Sequence, residues 1–126
     1  MNILIVDDQP DFRVMLATFL QDSGYSVAGA ANGREALNYL YCCAELPGLI
    51  LLDVAMPLMS GWDFLSVQQG NAAFASIPVV MLSARGASRH DDLDCRPAAY
   101  LEKPIDLNSL LAEIRQHCAV SVANVR

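Results

Sequence analysis

Short runs of apolar residues alternate along this chain with longer stretches in which apolar residues recur every three or four positions. The short runs are typical of buried strands, and the longer stretches are typical of amphipathic helices. Glycine, proline and asparagine residues separate the two kinds of segment, as expected for consecutive β–α units. Because β–α units feed parallel strands into one sheet, the pattern predicts an α/β domain. The five predicted strands cover residues 3–6, 25–30, 49–52, 77–82 and 98–101.

The predicted helices are bounded by residues that commonly cap helices. Asn32 is followed three residues later by Glu35, which is the pattern of an N-cap and its reciprocal partner. The helix that they open carries a predicted apolar face of Leu37, Leu40 and Tyr41. Further boundaries are expected at Gly24 and Gly70, which end helices, and at Ser60 and Asp106, which cap them.

Two segments depart from the regular pattern. Residues 86–97 contain several aspartates, a proline and only one sizeable apolar residue, so they favour a short or irregular fourth helix. Residues 119–126 follow the last predicted helix and are interpreted as a tail or linker. The sequence therefore predicts one domain of about five helices over residues 1–118, followed by this tail.

Length and composition support a single folded domain. A chain of 126 residues that is 54% apolar and 17% charged can form one well-buried core. The apolar runs are too short to cross a bilayer, and the N-terminus lacks the pattern of a signal peptide, so a cytoplasmic protein without membrane contact is expected. The net charge of -6 disfavours binding to the phosphate backbone of nucleic acids.

The cysteine and histidine residues do not form the pattern of a disulfide framework or a zinc site. Cys42 and Cys43 are adjacent, and the other two cysteines are isolated in the sequence. No pair has CxxC spacing, so reduced thiols are expected. His90 and His117 have no partners at ligand spacing.

Polar residues fall at the carboxyl ends of four of the five predicted strands. Asp7 and Asp8 follow the first strand, and Asp53 follows the third. Ser83 follows the fourth, and Lys103 follows the fifth. Taken singly, each is typical of a turn or a strand end. A parallel sheet brings the carboxyl ends of its strands to one edge, where open α/β sheets bind ligands, so the five side chains are predicted to form one site.

The residue types at this edge suit phosphoryl chemistry. Three clustered aspartates raise one another's pKa unless a positive charge holds them ionised, and oxygen ligands without a neighbouring histidine or cysteine favour Mg²⁺. Lys103, the only lysine of the chain, adds a second positive charge, and Ser83 adds a hydrogen-bond donor. A carboxylate nucleophile, a divalent cation, an ammonium and a hydroxyl together neutralise a phosphoryl group in transfer.

Four segments of the chain are similar to the motifs of bacterial response-regulator receiver domains. They occur in the family's order and span nearly the whole chain, which makes the combination highly specific. The resemblance implies a flavodoxin-like, doubly wound sheet of five parallel strands in the order 2-1-3-4-5. The segments are ILIVDD (residues 3–8), LDVAMPLMSG (52–61), PVVMLSA (78–84) and YLEKP (100–104).

The resemblance implies a phosphoacceptor and a metal site. Asp53 would accept a phosphoryl group from a phosphohistidine on a sensor histidine kinase or a histidine phosphotransfer protein. Asp8, Asp53 and the backbone carbonyl of Ala55 would bind Mg²⁺ directly, and Asp7 would act on the metal through water. Such a domain promotes its own phosphorylation and dephosphorylation and is not otherwise an enzyme.

The resemblance also implies a conformational switch. Lys103 would bind a phosphoryl oxygen, and Ser83 would close on the phosphoryl group as Tyr100 swings inward. The Lys103–Pro104 peptide bond is expected to be cis.

The chain departs from the family at residues 86–97, which form a shorter connection than usual. It also carries Ala55 and Arg85 at positions that tune the phosphoryl lifetime, so neither a lifetime nor an output partner is implied.

Three alternative classes share part of the pattern. A phosphohydrolase of the haloacid dehalogenase type needs a second aspartate two residues after the nucleophile, where this chain has Ala55. A flavodoxin-like electron carrier needs a Ser/Thr/Gly phosphate-binding loop after the first strand, where this chain has Asp7-Asp8-Gln9-Pro10. A receiver-like binding module that works without phosphorylation is a closer alternative, but the complete set of acidic, serine and lysine residues argues against it.

Overall fold

The computed structural model describes residues 2–84 and 96–124, with side chains described through His117. Its described strands are β1 (Asn2–Val6), β2 (Ser26–Ala30), β3 (Leu49–Asp53), β4 (Val79–Ser83) and β5 (Ala99–Glu102). Each neighbouring pair of strands is parallel, and the five strands form one sheet. The order β2-β1-β3-β4-β5 confirms the order that the resemblance implies.

Four helices lie within the described residues, namely α1 (Pro10–Asp22), α2 (Gly33–Cys42), α3 (Gly61–Gln69) and α4 (Leu107–Asn124). The last helix continues into the segment 119–126 that the sequence suggests as a tail, while the domain boundary at 118 stays a prediction. The short or irregular helix expected within residues 86–97 falls largely on residues 85–95, outside the described residues. None of the described helices is long and apolar enough to cross a membrane.

Two hydrophobic cores cover the two faces of the sheet. Successive strand residues point to opposite faces, so Leu4 joins one core while Ile3 and Ile5 join the other. The first core includes Phe64 of α3, and the second includes Leu16 of α1. Burial on both faces explains why the inner strands have continuous apolar sequences rather than alternating ones.

Three of the described strands begin later than the sequence predicts: β5 by one residue, at Ala99, and β2 and β4 because local hydrogen bonds engage the residues before them. The Tyr25 amide donates to the Leu20 carbonyl over 3.0 Å at the end of α1. The Ile77 amide donates to the Phe74 carbonyl over 3.1 Å, and Pro78 has no amide hydrogen to donate. As a result β2 begins at Ser26 and β4 begins at Val79.

The prediction that Tyr41 belongs to the apolar face of α2 is wrong. Its side chain is 65% exposed, whereas Ala36 and Leu40 are buried. Tyr41 follows Leu40 directly, and each residue rotates the side-chain direction by slightly more than a quarter of a turn, which carries Tyr41 away from the core. Its ring packs edge-on against Phe74 with a centroid distance of 5.1 Å, and its hydroxyl accepts a hydrogen bond of 3.2 Å from Asn71.

Candidate functional site

The residues that the sequence predicts for the site lie at or next to the carboxyl ends of the strands, along one edge of the sheet. Asp7 and Lys103 come directly after β1 and β5, and Asp53 and Ser83 are the last residues of β3 and β4. The Lys103 amide donates to the Ser83 carbonyl over 2.7 Å, which fixes the two chain segments side by side. The Lys103–Pro104 peptide bond is cis, as expected.

Three aspartates form an acidic cluster at this edge. One carboxylate oxygen from each of Asp7, Asp8 and Asp53 lies within 4.8 Å of the other two. Asp7 is fully buried and Asp53 is 6% exposed, whereas Asp8 faces solvent. Hard oxygen donors at this spacing, with one side open to water, fit a small divalent cation that retains part of its hydration shell.

The ammonium group of Lys103 lies between the two buried carboxylates. Its Nζ atom is 3.2 Å from Oδ2 of Asp7 and 3.3 Å from Oδ1 of Asp53. The other oxygen of Asp7 accepts a hydrogen bond of 2.8 Å from the Gln9 amide. One ammonium group against two buried carboxylates leaves an excess of negative charge, which favours the binding of a further cation.

Burial is the main influence on the ionisation of Asp53. It raises the pKa of the Asp53 carboxyl above its ordinary value, and the negative charge of Asp7 raises it further. Lys103 and a hydrogen bond from the Ala55 amide lower the pKa but do not offset the rise. A cation bound beside Asp53 would therefore favour the ionised form, which is the nucleophilic form of a carboxylate.

A tight loop joins Asp53 to the start of α3. The Gly61 amide donates to the Val54 carbonyl over 2.8 Å. A Cβ atom at Gly61 would lie 2.8 Å from the Val54 Cα, so glycine allows the helix to approach the strand end this closely. Within the loop, Leu58 has a φ of 70° and is 84% exposed. That left-handed conformation is uncommon for leucine.

The two expected switch residues lie on neighbouring strands. Ser83 ends β4, and Tyr100 in β5 pairs with Met81, two residues before Ser83. Both side chains are partly exposed. The Tyr100 ring lies beside Trp62 at the start of α3, with a centroid distance of 6.0 Å. Tyr100 is thus placed between the strand that carries Ser83 and the helix that follows the Asp53 loop.

A family model for the response regulator receiver domain matches residues 3–115. The chain belongs to this family. Response regulator Rre1 of Synechocystis sp. is 40% identical to this receiver domain over 90% of this chain and 50% of that protein. A 14.6 kDa protein of Leptolyngbya boryana is 38% identical over 94% of this chain and 90% of that protein. The solved structure of chemotaxis protein CheY4 of Vibrio cholerae has a TM-score of 0.80 and 30% identity, covering 91% of this chain and 96% of that chain.

Family membership establishes the general role of the receiver domain. It is a signalling module of two-component response regulators rather than a classical enzyme. Its flavodoxin-like architecture agrees with the expected fold. The chain spans about half the length of several curated relatives that it matches, including Rre1.

Three residues that shape the receiver site were not predicted for it. Phe12 lies 4.5 Å, measured to its ring centroid, from the Lys103 ammonium, yet its helical spacing in the sequence is typical of a core residue. Arg13 donates from Nη1 to the Asp7 backbone carbonyl over 2.7 Å. Gly61 permits the approach of α3, and its signals in the sequence are its place directly after a helix N-cap and at the end of the receiver-like segment 52–61.

Proposed function

We propose that this receiver domain is a phosphoacceptor in which Asp53 takes a phosphoryl group from a phosphohistidine. The donor is a sensor histidine kinase or a histidine phosphotransfer protein in the cytoplasm. The observation that carries the proposal is the position of the Asp53 carboxylate, which lies within 3.3 Å of the sole lysine and beside two further aspartates. Such an arrangement gathers the charges that a transferring phosphoryl group requires.

In the proposed reaction an oxygen of the Asp53 carboxylate attacks the phosphorus of the phosphohistidine. The phosphorus–nitrogen bond breaks, and the imidazole leaves with the bonding electron pair and takes up a proton. A phosphorus–oxygen bond forms, which gives an acyl phosphate on Asp53. The edge of the sheet is open at Asp8, so a donor side chain approaches from that side.

The acidic cluster suits Mg²⁺ as the cofactor. Asp8, Asp53 and the backbone carbonyl of Ala55 would hold the ion directly, and Asp7 would act through water. When bound, the ion supplies positive charge to the oxygens of the phosphoryl group. The buried Asp7 has both oxygens engaged, one by Lys103 and one by the Gln9 amide, which is consistent with an indirect role.

Lys103 and Ser83 complete the proposed site. The Lys103 ammonium moves from the Asp53 carboxylate to a phosphoryl oxygen, which requires little displacement because it already contacts Asp53. The Ser83 hydroxyl donates to another phosphoryl oxygen and draws the end of β4 towards Asp53. Tyr100 then turns inward, and an output partner recognises the changed surface. The domain promotes only its own phosphorylation and dephosphorylation.

The proposal is tested by incubating the protein with acetyl phosphate, with and without Mg²⁺, and measuring the intact mass. We expect one phosphoryl group per chain, dependent on Mg²⁺ and absent from Asp53→Asn. Asp106→Asn serves as the control, because that aspartate lies at the exposed start of α4, away from the acidic cluster. Equal modification of Asp53→Asn and the parent would contradict the proposal. An unmodified parent would favour the receiver-like module that works without phosphorylation.

A further inference from the structure

Among the residues that the structure describes, the Lys103 ammonium group has three close neighbours, and one of them is an aromatic ring. Two are the carboxylates of Asp7 and Asp53, at 3.2 and 3.3 Å. The third is the Phe12 ring, whose centroid is 4.5 Å from Nζ. An ammonium group has three N–H donors, so two carboxylates and one ring face account for all of them.

The position of Phe12 results from elements that pack independently of Lys103. Phe12 lies in the first turn of α1, which begins at Pro10, and it packs against the same core as Leu16 and Leu20. Lys103 follows β5, and its amide is held by the Ser83 carbonyl. The ring and the ammonium therefore come from distant parts of the sequence, and each is fixed by its own element.

A ring in this position restricts a side chain that otherwise has great freedom. A lysine side chain has four rotatable bonds, and ordering it costs conformational entropy. The negative face of an aromatic ring attracts an ammonium group, and the attraction is stronger where water is partly excluded. Lys103 is partly buried beside Asp7, which is fully buried, so the contact lies in such an environment.

We propose that Phe12 is a positioning residue of the phosphoacceptor site, whose ring face holds the Lys103 ammonium group between Asp7 and Asp53. This inference rests on the proposed function of Asp53. The ring keeps the ammonium within reach of the phosphoryl oxygen before the phosphodonor arrives. Without the ring, Lys103 populates other rotamers as well. Phosphoryl transfer then proceeds only in the fraction of molecules whose Lys103 ammonium lies between Asp7 and Asp53.

A merely structural role for Phe12 makes a different prediction. If the ring only fills space in the core, any apolar side chain of similar size should serve equally well. Phe19 provides a matched control, because it lies on the same helix and packs against the same core. Phe12→Leu and Phe19→Leu therefore make the same change in side-chain size within one hydrophobic cluster. Only Phe12→Leu also removes the aromatic ring that contacts the Lys103 ammonium.

The contact itself is measured by NMR on metal-free protein with labelled lysine. Lys103 is the only lysine, so its ε-methylene group gives a single signal. Ring current should shift the ε-methylene protons upfield in the parent, in Phe12→Tyr and in Phe19→Leu. The shift should disappear in Phe12→Leu. An unchanged signal in Phe12→Leu would overturn the proposal, and this readout requires neither metal nor phosphorylation.

The consequence for the reaction is measured as the rate of phosphorylation by acetyl phosphate at saturating Mg²⁺. We expect Phe12→Leu to react about threefold to tenfold more slowly than the parent, the range that corresponds to a cation–π contact. Phe12→Tyr, which keeps the ring, should restore most of the rate, and Phe19→Leu should match the parent. Pentafluorophenylalanine at position 12 keeps the ring shape but reverses its charge distribution, so it should be as slow as Phe12→Leu.

The outcomes separate this proposal from the proposed function. A parent protein that takes up no phosphoryl group at Asp53 contradicts the proposed function, and the NMR signal still decides the contact. A parent that is phosphorylated while Phe12→Leu reacts equally fast overturns the role of Phe12 alone. A fast pentafluorophenylalanine variant beside a slow Phe12→Leu would show that the ring only fills space, and would also overturn it.

Discussion

At the scale of single residues, the ionisation of Asp53 depends on its burial and on the charges of Asp7 and Lys103. Burial and Asp7 oppose the ionised form, and Lys103 favours it. The sequence predicted these residues because the ends of parallel strands meet at one edge. Phe12 could not be predicted for the site in the same way, because a phenylalanine at helical spacing looks the same whether its ring meets another apolar side chain or an ammonium group.

Replacing Asp53 by asparagine should stabilise the metal-free protein near neutral pH. The pKa of Asp53 is raised in the folded state, so its contribution to stability is complete below the ordinary pKa of aspartate and is lost as the pH rises through the raised pKa. Asparagine never ionises and avoids that loss. The free energy of unfolding, measured by urea denaturation with a chelator present, should increase in Asp53→Asn near neutral pH, and the gain should shrink in acid.

Asp106 supplies a control of opposite sign. Hydrogen bonds from the Ser109 side chain and amide lower the pKa of Asp106. Its contribution to stability is therefore present above the ordinary pKa of aspartate and is lost as the pH falls through the lowered pKa. Asp106→Ala should destabilise the protein near neutral pH, and the difference from the parent should diminish in acid. If Asp53→Asn stabilised the protein equally near neutral pH and in acid, the raised pKa of Asp53 could not be the cause of the stabilisation.

At the scale of elements, helix starts were more predictable than the details of packing. Asn32 caps α2 by accepting from the Glu35 amide over 2.9 Å, as the sequence suggests. The Glu35 carboxylate accepts a hydrogen bond from the Ala31 amide rather than from the Asn32 amide. Which of the two amides it reaches depends on the local backbone conformation, which the sequence does not specify. Gln68 of α3 is fully buried and donates to the Phe74 and Ile77 carbonyls, which the sequence does not indicate because glutamine is usually exposed.

The junction of β3 and α3 gives a prediction about stability. Gly61→Ala should lower the free energy of unfolding by about 1–3 kcal/mol, the usual cost of overpacking, because its Cβ would press on the Asp53 and Val54 backbone. Gly29→Ala is the control, since its Cβ would lie 3.5 Å from the flexible Arg13 side chain. Urea denaturation of both variants checks the prediction. Equal effects of the two substitutions would contradict the close approach of α3.

At the scale of the whole molecule, one edge of the sheet carries the acidic cluster of the proposed site, and the two hydrophobic cores cover the faces of the sheet. The pattern of apolar runs predicts five parallel strands. The strand order 2-1-3-4-5 came only from the resemblance to a family, because apolar periodicity does not determine which strands are neighbours. The segment 85–95 lies outside the described residues, so the expected irregular fourth helix stays a prediction.

The single tryptophan of the chain offers a readout of the proposed switch. Trp62 lies beside Tyr100, so an inward turn of Tyr100 changes the surroundings of the indole ring. We expect the fluorescence of Trp62 to change when acetyl phosphate and Mg²⁺ are added to the parent. No such change with acetyl phosphate should occur in Asp53→Asn. Complete phosphorylation without any change in emission would contradict an inward movement of Tyr100.

The position of the phosphoryl group tests the central claim most directly. Reduction of an aspartyl phosphate by borohydride converts that aspartate to homoserine, which fragment mass spectrometry locates in the sequence. After treatment with acetyl phosphate and Mg²⁺, the account predicts homoserine at position 53 and unchanged aspartates at positions 7 and 8. Homoserine at Asp7 or Asp8, or a stable phosphoryl group on Ser83, would contradict it.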